Sequence, residues 1–253
     1  MDTERPKARL HVAASLEAGG RVTVSDEQGH YLLNVMRIRA GDGITLFNGR
    51  DGEWHAEIEG IARRSCVLRV KRRLREQAVE TDLWLLFAPI KRARLDFVAE
   101  KAAELGVSLI WPVLTRFTAM GRVNVERLRA NAIEAAEQCE RLTVPEVREP
   151  VPLERALAGW DAGRRLLLLD EAGGGQPIAE AVAAVPEPAA LLVGPEGGFA
   201  KSELDLLRDL PFVTAASLGP RILRAETAAV AALSCWQALR GDWRRHATPR
   251  RGS

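Results

Sequence analysis

The chain has 253 residues, of which 47% are hydrophobic and 28% are charged, and its formal net charge is +2. This composition is that of an ordinary globular protein, and the length suffices for one large or two small domains. No apolar run approaches the length of a membrane span, and residues 1–20 lack the apolar core of a signal peptide. We therefore expect a cytoplasmic protein without a membrane partner.

The three cysteines and four histidines are scattered along the chain. None stands at the spacing of a metal site or a redox motif. We expect reduced thiols and no bound metal.

Positive charge is concentrated in the first part of the sequence. Residues 1–75 contain 14 Lys and Arg against 10 Asp and Glu, a net +4, whereas the remainder contains 22 against 24, a net −2. This asymmetry favours an anionic partner for the first 75 residues. A solvated basic surface explains the charge equally well.

Residues 21–73 have the pattern of a small β-rich module. Glycine and asparagine at Asn48–Gly52 separate two strand-like segments, which predicts a β-hairpin. The basic run Lys71–Arg75 has no apolar periodicity and is our expected boundary between domains 1–75 and 76–245, with a disordered basic tail at 246–253. The predicted elements are strands at Val22–Val24, Gly43–Phe47, Glu53–Ile58 and Cys66–Val70 and a helix at Asp26–Met36.

From Thr81 onward, apolar strands alternate with helical patterns, which predicts an α/β fold with a mainly parallel sheet. Strands are expected at Leu83–Phe87, Leu109–Leu114, Leu166–Leu169, Leu191–Val193 and Phe212–Ala216. Helices are expected at Asp96–Leu105, Asn124–Arg141 and Glu226–Leu239, and Ser202 is expected to cap another.

The last two of these strands end in loops rich in glycine and proline. The loops are Gly194–Gly198 and Gly219–Arg221, and each opens into a helical pattern. Glycine lets the backbone approach a ligand closely. Arg221, Arg224 and Glu226 place three charges within six residues of an otherwise apolar region, which indicates a site.

Neither loop matches a nucleotide-binding fingerprint. Lys201-Ser202 fits the end of a P-loop, but Pro195 and Ala200 occupy its two glycine positions. Gly194-Pro195-Glu196 has neither the spacing nor the small middle residue of the dinucleotide motif. A nucleotide-dependent enzyme on a Rossmann-like sheet is therefore disfavoured.

The segments GPEGG (194–198) and LGPRILRAETA (218–228) resemble the RsmE family of ribosomal RNA methyltransferases, within the knotted SPOUT superfamily. The resemblance continues in KRARLDFVAEKAAELGV (91–107) and IEAAEQCER (133–141), and it covers most of the chain from about residue 75. It implies a SPOUT trefoil-knot domain with a mainly parallel sheet, preceded by a small PUA-like β-barrel that binds RNA. It also implies a homodimer.

The resemblance implies a reaction as well. This is the S-adenosylmethionine-dependent methylation of N3 of a uridine in 16S rRNA, in the decoding region of the small ribosomal subunit (U1498 in the standard numbering of that RNA). The N3 proton must leave before this nitrogen is a good nucleophile, and no histidine lies between His55 and His246. We expect Arg224 or Arg221 to stabilise the uracil anion and Glu226 to orient the arginine or accept the proton.

Cofactor contacts are expected in three loops at the carboxyl ends of neighbouring strands, where backbone groups can bind adenine and apolar side chains can cover it. The candidates are Leu169, Gly194, Glu196, Gly197, Gly198, Leu218, Gly219, Ile222, Leu223 and Thr227. The resemblance also implies candidate RNA contacts in the first domain, which are Arg37, Arg39, Arg63, Arg64, Lys71 and Arg72. Lys91, Arg92 and Arg94 open a helix whose positive end disfavours cations, which favours phosphate binding, and Lys91 and Arg92 are added to the candidates.

Plainer roles compete with these assignments. Glu226 also suits a helix N-terminus, Glu196 suits a turn, and the two arginines could form structural ion pairs with these carboxylates. Among the tryptophans, Trp54 is the candidate for base stacking. The alternative function is a non-catalytic protein that binds S-adenosylmethionine and RNA, for example in ribosome assembly.

Overall fold

The computed structural model describes residues 6–62 and 65–245, without the side chain of Arg92. The chain folds into two compact units. The first contains the described residues up to Val79 together with residues 136–143, and the second contains the rest of the described chain.

The first unit is built on one five-stranded sheet. Its strands are β1 (Ala8–His11), β2 (Arg21–Thr23), β3 (Gly43–Phe47), β4 (Glu53–Ile61) and β5 (Cys66–Arg75), in the order β1-β3-β4-β5-β2. Strand β1 pairs parallel with β3, and the other pairs are antiparallel. The predicted hairpin is confirmed as β3–β4. One face of the sheet buries an apolar core that includes Leu10, Val22, Ile44 and Leu68.

Three features of this unit differ from the sequence-based expectation. Strand β5 continues past Val70 through the basic run to Arg75, because Arg72 and Arg73 still pair with β4. The predicted helix Asp26–Met36 is α1 (Asp26–His30) followed by a π-helical turn, Tyr31–Val35. Trp54, the one tryptophan singled out as a candidate for base stacking, is only 9% exposed and its Nε1 donates to the Asp51 carbonyl at 2.8 Å, so it packs in the core and is not free to stack on a base.

The second unit is an α/β layer with a parallel sheet, as predicted. Its strands are β6 (Leu83–Phe87), β7 (Leu109–Leu114), β8 (Glu146–Val147), β9 (Val151–Pro152), β10 (Arg165–Leu169), β11 (Gln176–Pro177), β12 (Ala189–Val193) and β13 (Val213–Ser217). They lie in the order β11-β13-β10-β12-β6-β7-β8, and β9 also pairs with β7. Every pair is parallel.

Helices cover both faces of this sheet. They are α2 (Arg92–Glu104), α3 (Val125–Gln138), α4 (Leu153–Ala158), α5 (Ile178–Ala184), α6 (Lys201–Asp209) and α7 (Ala225–Leu239), followed by a 3₁₀ turn at Asp242–Arg244. Successive leucines of β10 point to opposite faces of the sheet. Leu167 lies in the core with α2, α5 and α7, and Leu168 lies in the core with α4 and α6. This double burial explains why the strands read as continuous apolar runs.

The start of α6 differs from the prediction. The helix begins at Lys201, so Ser202 lies inside it and is not the cap. The buried carboxylate of Glu203 accepts hydrogen bonds from the backbone N–H of Ala200 and of Arg116, both at 2.8 Å. A glutamate at this position satisfies amide groups that the helix leaves unpaired.

No helix in the described part of the chain combines the length and the apolar character needed to cross a membrane.

Candidate active site

The sheet order brings the ends of four strands side by side. Strand β10 lies between β13 and β12, and β6 lies on the other side of β12. Because all four run parallel, the segments that follow them emerge at one edge of the sheet. The three loops predicted to bind the cofactor, after β10, β12 and β13, are therefore neighbours.

The loop after β12 needs two of its glycines for steric reasons. Gly198 has φ +70°, and a Cβ built on it would lie 2.1 Å from Oε1 of Glu171. A Cβ on Gly194 would lie 2.8 Å from the ring of Phe199. Gly194 and Gly198 are buried, whereas Glu196 and Gly197 are exposed at the turn. The loop therefore combines an exposed tip with tightly packed ends.

Glu171 connects the loop after β10 to the loop after β12. Its Oε1 accepts a hydrogen bond from the Phe199 backbone N–H at 2.9 Å. The same oxygen lies against Gly198, so a side chain there would displace the Glu171 carboxylate. The carboxylate thus fixes the backbone at the end of the glycine-rich turn.

A second buried carboxylate orders the start of the loop after β10. Asp170 is 3% exposed, and its Oδ1 accepts from the Ala172 N–H at 2.9 Å while Oδ2 pairs with Arg208 at 2.5 Å. This hydrogen bond with Asp170 raises the pKa of the Arg208 guanidinium. Leu169, the candidate cofactor contact at the end of β10, is 6% exposed.

The loop after β13 is the most open of the three. Gly219 has φ +94°, a conformation that favours glycine. Ile222 is 91% exposed, Arg221 and Arg224 are exposed, and Leu223 is half-buried. Leu218 is half-buried and Thr227 is exposed. Apolar and basic side chains thus stand together on an accessible segment.

Arg94 joins the loop after β12 to the first turn of α7. Its Nη1 donates to Oε1 of Glu196 at 3.0 Å, and its Nε lies 3.4 Å from Oε1 of Glu226. The side chains of Arg94 and Glu196 are about one-third exposed, whereas that of Glu226 is 14% exposed. Arg94 lies in the first turn of α2, directly after β6.

This arrangement overturns one of the plainer roles. The ion pairs expected from Arg221 and Arg224 to Glu196 or Glu226 are made by Arg94 instead. Within residues 6–62 and 65–245, neither Arg221 nor Arg224 has a salt bridge. The two exposed arginines are therefore available to a ligand.

Glu226 keeps one oxygen for another partner. Its Oε2 is buried and has no hydrogen-bond partner in the described structure. A buried carboxylate oxygen without a partner is costly, since about 1–3 kcal/mol of hydration is lost. Such an oxygen is suited to accept a hydrogen bond or a proton from a bound ligand.

The candidate RNA contacts fall into three groups. Arg37, Arg39, Arg72 and Lys91 are exposed, and Arg37 has φ +52°. Lys71 is exposed but pairs with Glu57 at 2.9 Å. Arg63 and Arg64 lie outside the described residues, as does the side chain of Arg92, whose backbone begins α2.

The sequence did not assign Arg94 or Glu171 to this site. It marked Arg94 only as one of three cations that open α2, where the helix dipole disfavours them and phosphate binding is favoured. The only signal for Glu171 in the sequence was its position two residues after a buried strand. Across the described ranges, no three His, Cys, Asp or Glu side chains form a group able to hold a metal ion.

Comparison with known proteins matches both parts of the chain. A family model for the RNA methyltransferase domain matches residues 77–237, and a model for the RNA methyltransferase PUA domain matches residues 24–71. The first match alone covers more than half of the chain. The two family models thus define an RNA methyltransferase that carries a PUA domain.

Individual relatives are similar over nearly the whole length. The ribosomal RNA small subunit methyltransferase E of Rickettsia conorii is 34% identical over 89% of this chain and 93% of its own. A structure from Legionella pneumophila, described as a putative methyltransferase with bound S-adenosylmethionine, is 32% identical with a TM-score of 0.82, covering 93% of this chain and 98% of that one. The chain belongs to the ribosomal RNA small subunit methyltransferase E family.

A second solved member supports the same placement. The ribosomal RNA small subunit methyltransferase E of Neisseria gonorrhoeae, crystallised with S-adenosylmethionine, is 27% identical with a TM-score of 0.82 over 93% of this chain and 99% of that chain. The structural agreement therefore extends across both units of the chain.

Proposed function

We propose that the chain transfers a methyl group from S-adenosylmethionine to N3 of a uridine in the 16S rRNA of the small ribosomal subunit. The observation that carries this proposal is the meeting of the GPEGG and LGPRILRAETA loops at one edge of a parallel sheet, in a chain of this family. The S-adenosylmethionine bound to the Legionella and Neisseria relatives supports the choice of cofactor.

The residues at this edge fit that cofactor. Gly197 leaves the backbone exposed at the turn, and the half-buried Leu218 and Leu223 are available to cover an adenine ring. Glu196 is exposed at the turn of the loop after β12, where its carboxylate, shared with Arg94, can also attract a cationic sulfonium. The proposed contacts are Leu169, Gly194, Glu196, Gly197, Gly198, Leu218, Gly219, Ile222, Leu223 and Thr227.

Bound S-adenosylmethionine supplies an already activated methyl group, so the protein needs to position the acceptor and favour its deprotonated form. Arg224 and Arg221 are exposed beside the loops and have no salt bridge in the described structure. Their guanidinium groups would donate charge-assisted hydrogen bonds to the developing uracil anion. The unpartnered Oε2 of Glu226 would accept the N3 proton or a hydrogen bond from one arginine.

The first unit is proposed to hold the RNA. The exposed Arg37, Arg39 and Arg72 lie in this unit, together with Lys71. Contacts of arginine and lysine with phosphates fix the register of an RNA without reading its sequence. Lys91 and Arg92, in the second unit, would contact phosphates closer to the site.

The resemblance to the family also supports a cytoplasmic homodimer with the trefoil knot of the SPOUT superfamily. Sedimentation equilibrium at micromolar protein concentration tests for the dimer. We expect a mass of twice that of the 27.7 kDa chain. A mass of 27.7 kDa at all concentrations would contradict it.

Methyl transfer is tested with two substrates. Small subunits and free 16S rRNA, both lacking the modification, are incubated with methyl-labelled S-adenosylmethionine, and the product is digested and mapped by mass spectrometry. We expect label on N3 of one uridine in the decoding region. Binding of the cofactor without label in either substrate would favour the non-catalytic alternative.

A further inference from the structure

We propose that Arg94 is a positioning residue for methyl transfer, which acts by holding Glu226 so that its free oxygen faces the acceptor base. This inference rests on the proposed function, because it assigns a task to Glu226 in that reaction. Arg94 stands outside the glycine-rich segments and reaches the site only through the fold.

Arg94 contacts the Oε1 atom of two carboxylates. Its Nη1 lies 3.0 Å from Oε1 of Glu196, and its Nε lies 3.4 Å from Oε1 of Glu226. The guanidinium is planar, so its two contacts fix the direction of both partners. One side chain from α2 thereby sets the spacing between the loop after β12 and the start of α7.

This contact of Arg94 is not explained by helix stability. The first turn of α2 contains no acidic residue, and Lys91 makes no side-chain capping hydrogen bond. The helix dipole disfavours a cation there. Arg94 is therefore unfavourable for the helix alone. Its role is explained by the two carboxylates outside α2 with which it pairs.

Arg94 leaves one oxygen of Glu226 free. Oε1 of Glu226 faces Arg94, whereas the buried Oε2 has no partner in the described part of the chain. Because the carboxylate is planar, the contact of Arg94 with Oε1 also fixes the direction in which the lone pairs of Oε2 point. Removal of Arg94 would let Glu226 rotate toward solvent, and the pre-arranged acceptor would be lost.

The inference is tested by a double-mutant cycle. Arg94→Ala, Glu226→Gln and the double variant are assayed for single-turnover methyl transfer and for S-adenosylmethionine affinity by calorimetry. We expect Arg94→Ala to lower the transfer rate by about 10- to 100-fold, within the range for a misplaced acid–base group, and to change cofactor affinity by less than about threefold. In the Glu226→Gln background, Arg94→Ala should have little further effect, because both changes disable the same group.

A matched control and a conservative variant separate this role from a structural one. Arg127 of α3 forms an ion pair with Asp96 of α2, at 2.7 Å, and both residues lie outside these loops. Arg127→Ala should leave the transfer rate within about twofold of the wild type, since it removes an ion pair without touching Glu196 or Glu226. Arg94→Lys, which keeps the charge, should recover part of the rate.

The outcomes distinguish this inference from the proposed function. If the wild type transfers no methyl group, the proposed function fails. If the wild type is active but the effects of Arg94→Ala and Glu226→Gln multiply independently, or if Arg94→Ala changes only cofactor affinity or thermal stability, the positioning role is refuted.

Discussion

At the scale of single residues, Gly198 shows why the loop after β12 lacks side chains. Its positive φ strains any other residue, and a Cβ 2.1 Å from the Glu171 oxygen would displace the carboxylate that holds the Phe199 N–H. Gly198→Val should therefore abolish detectable S-adenosylmethionine binding and lower the melting temperature, because the strained backbone alone costs about 1–3 kcal/mol. Calorimetric titration and thermal unfolding measure the two effects.

Gly159 provides the control for this substitution. It follows α4 at φ −102°, and a Cβ there would meet no atom within 4 Å. Gly159→Val should keep cofactor affinity within about threefold of the wild type, since surface changes rarely exceed ±0.5 kcal/mol. Equal affinities for the two variants would show that Gly198 is not part of the cofactor site.

Substitution of Arg224 tests the methyl-transfer step and not the binding of the cofactor. If its guanidinium stabilises the uracil anion, Arg224→Ala should lower kcat by about 100- to 1000-fold, the usual cost of removing one such donor. Cofactor affinity should hardly change. Arg155, exposed on α4, is the matched control, and Arg155→Ala should keep full activity. Small and equal effects at both positions would mean that Arg224 is not at the reacting base.

Much of the candidate site could be predicted at this scale, because GPEGG and LGPRILRAETA are continuous segments. Arg94 stood out only as a cation that opens a helix, and its carboxylate partners could not be predicted, since the contact with Glu196 spans 102 residues and depends on the strand order. The same holds for Glu171, whose bond to Phe199 spans 28 residues. Local sequence identifies which residues stand in a loop, but partners between loops are decided by the sheet.

At the scale of elements, an ion-pair cluster joins three strands of the first unit. Glu53 of β4 accepts from Arg75 of β5 at 2.7 Å and from Arg9 of β1 at 2.8 Å. Arg9 also donates to the carbonyl groups of Ala136 at 2.7 Å and Arg141 at 2.6 Å. Burial would raise the pKa of Glu53, but the hydrogen bonds from Arg75 and Arg9 outweigh it and lower this pKa from its ordinary 4.5.

This lowered pKa makes the stability of the protein pH-dependent. The ionised Glu53 stabilises the fold fully above pH 4.5, and the contribution is lost as pH falls through the lowered pKa. Glu53→Gln should therefore cost about 1–3 kcal/mol in the free energy of unfolding at pH 7. The difference in the free energy of unfolding between the wild type and Glu53→Gln, measured by urea denaturation, should become smaller below pH 4.5. A difference that stays constant from pH 7 to pH 3 would contradict this assignment.

The elements themselves were largely predictable, for a physical reason. Strands buried on both faces, such as β10 and β12, are continuous apolar runs between turn residues, and α7 begins within one residue of its predicted start. Features fixed by pairing or capping were not predictable. Strand β5 extends through five residues without apolar periodicity because β4 continues beside it, and α6 begins at Lys201 because Glu203, not Ser202, satisfies its amide groups.

At the scale of the whole molecule, the excess positive charge of residues 1–75 should determine RNA affinity. Replacing Arg37, Arg39 and Arg72 with alanine should weaken binding of a decoding-region RNA. The slope of log affinity against log salt should fall by about 0.7–0.9 for each lost phosphate contact. Fluorescence anisotropy at several salt concentrations measures both quantities.

Arg21 is the control for this surface. It is exposed in the same unit but already pairs with Glu59 at 2.8 Å. Arg21→Ala should leave the salt slope unchanged. An unchanged slope in the triple variant would show that the RNA binds elsewhere.

The central claim is that three loops at one edge of the parallel sheet form the site in which a methyl group meets the RNA base. A crystal structure of the protein with S-adenosylmethionine tests this claim most directly. We expect the adenine against Gly194–Gly198 and Leu218–Leu223, with the methyl group on the side of Arg224 and Glu226. Cofactor bound at the opposite edge of the sheet, or distant from both loops, would contradict it.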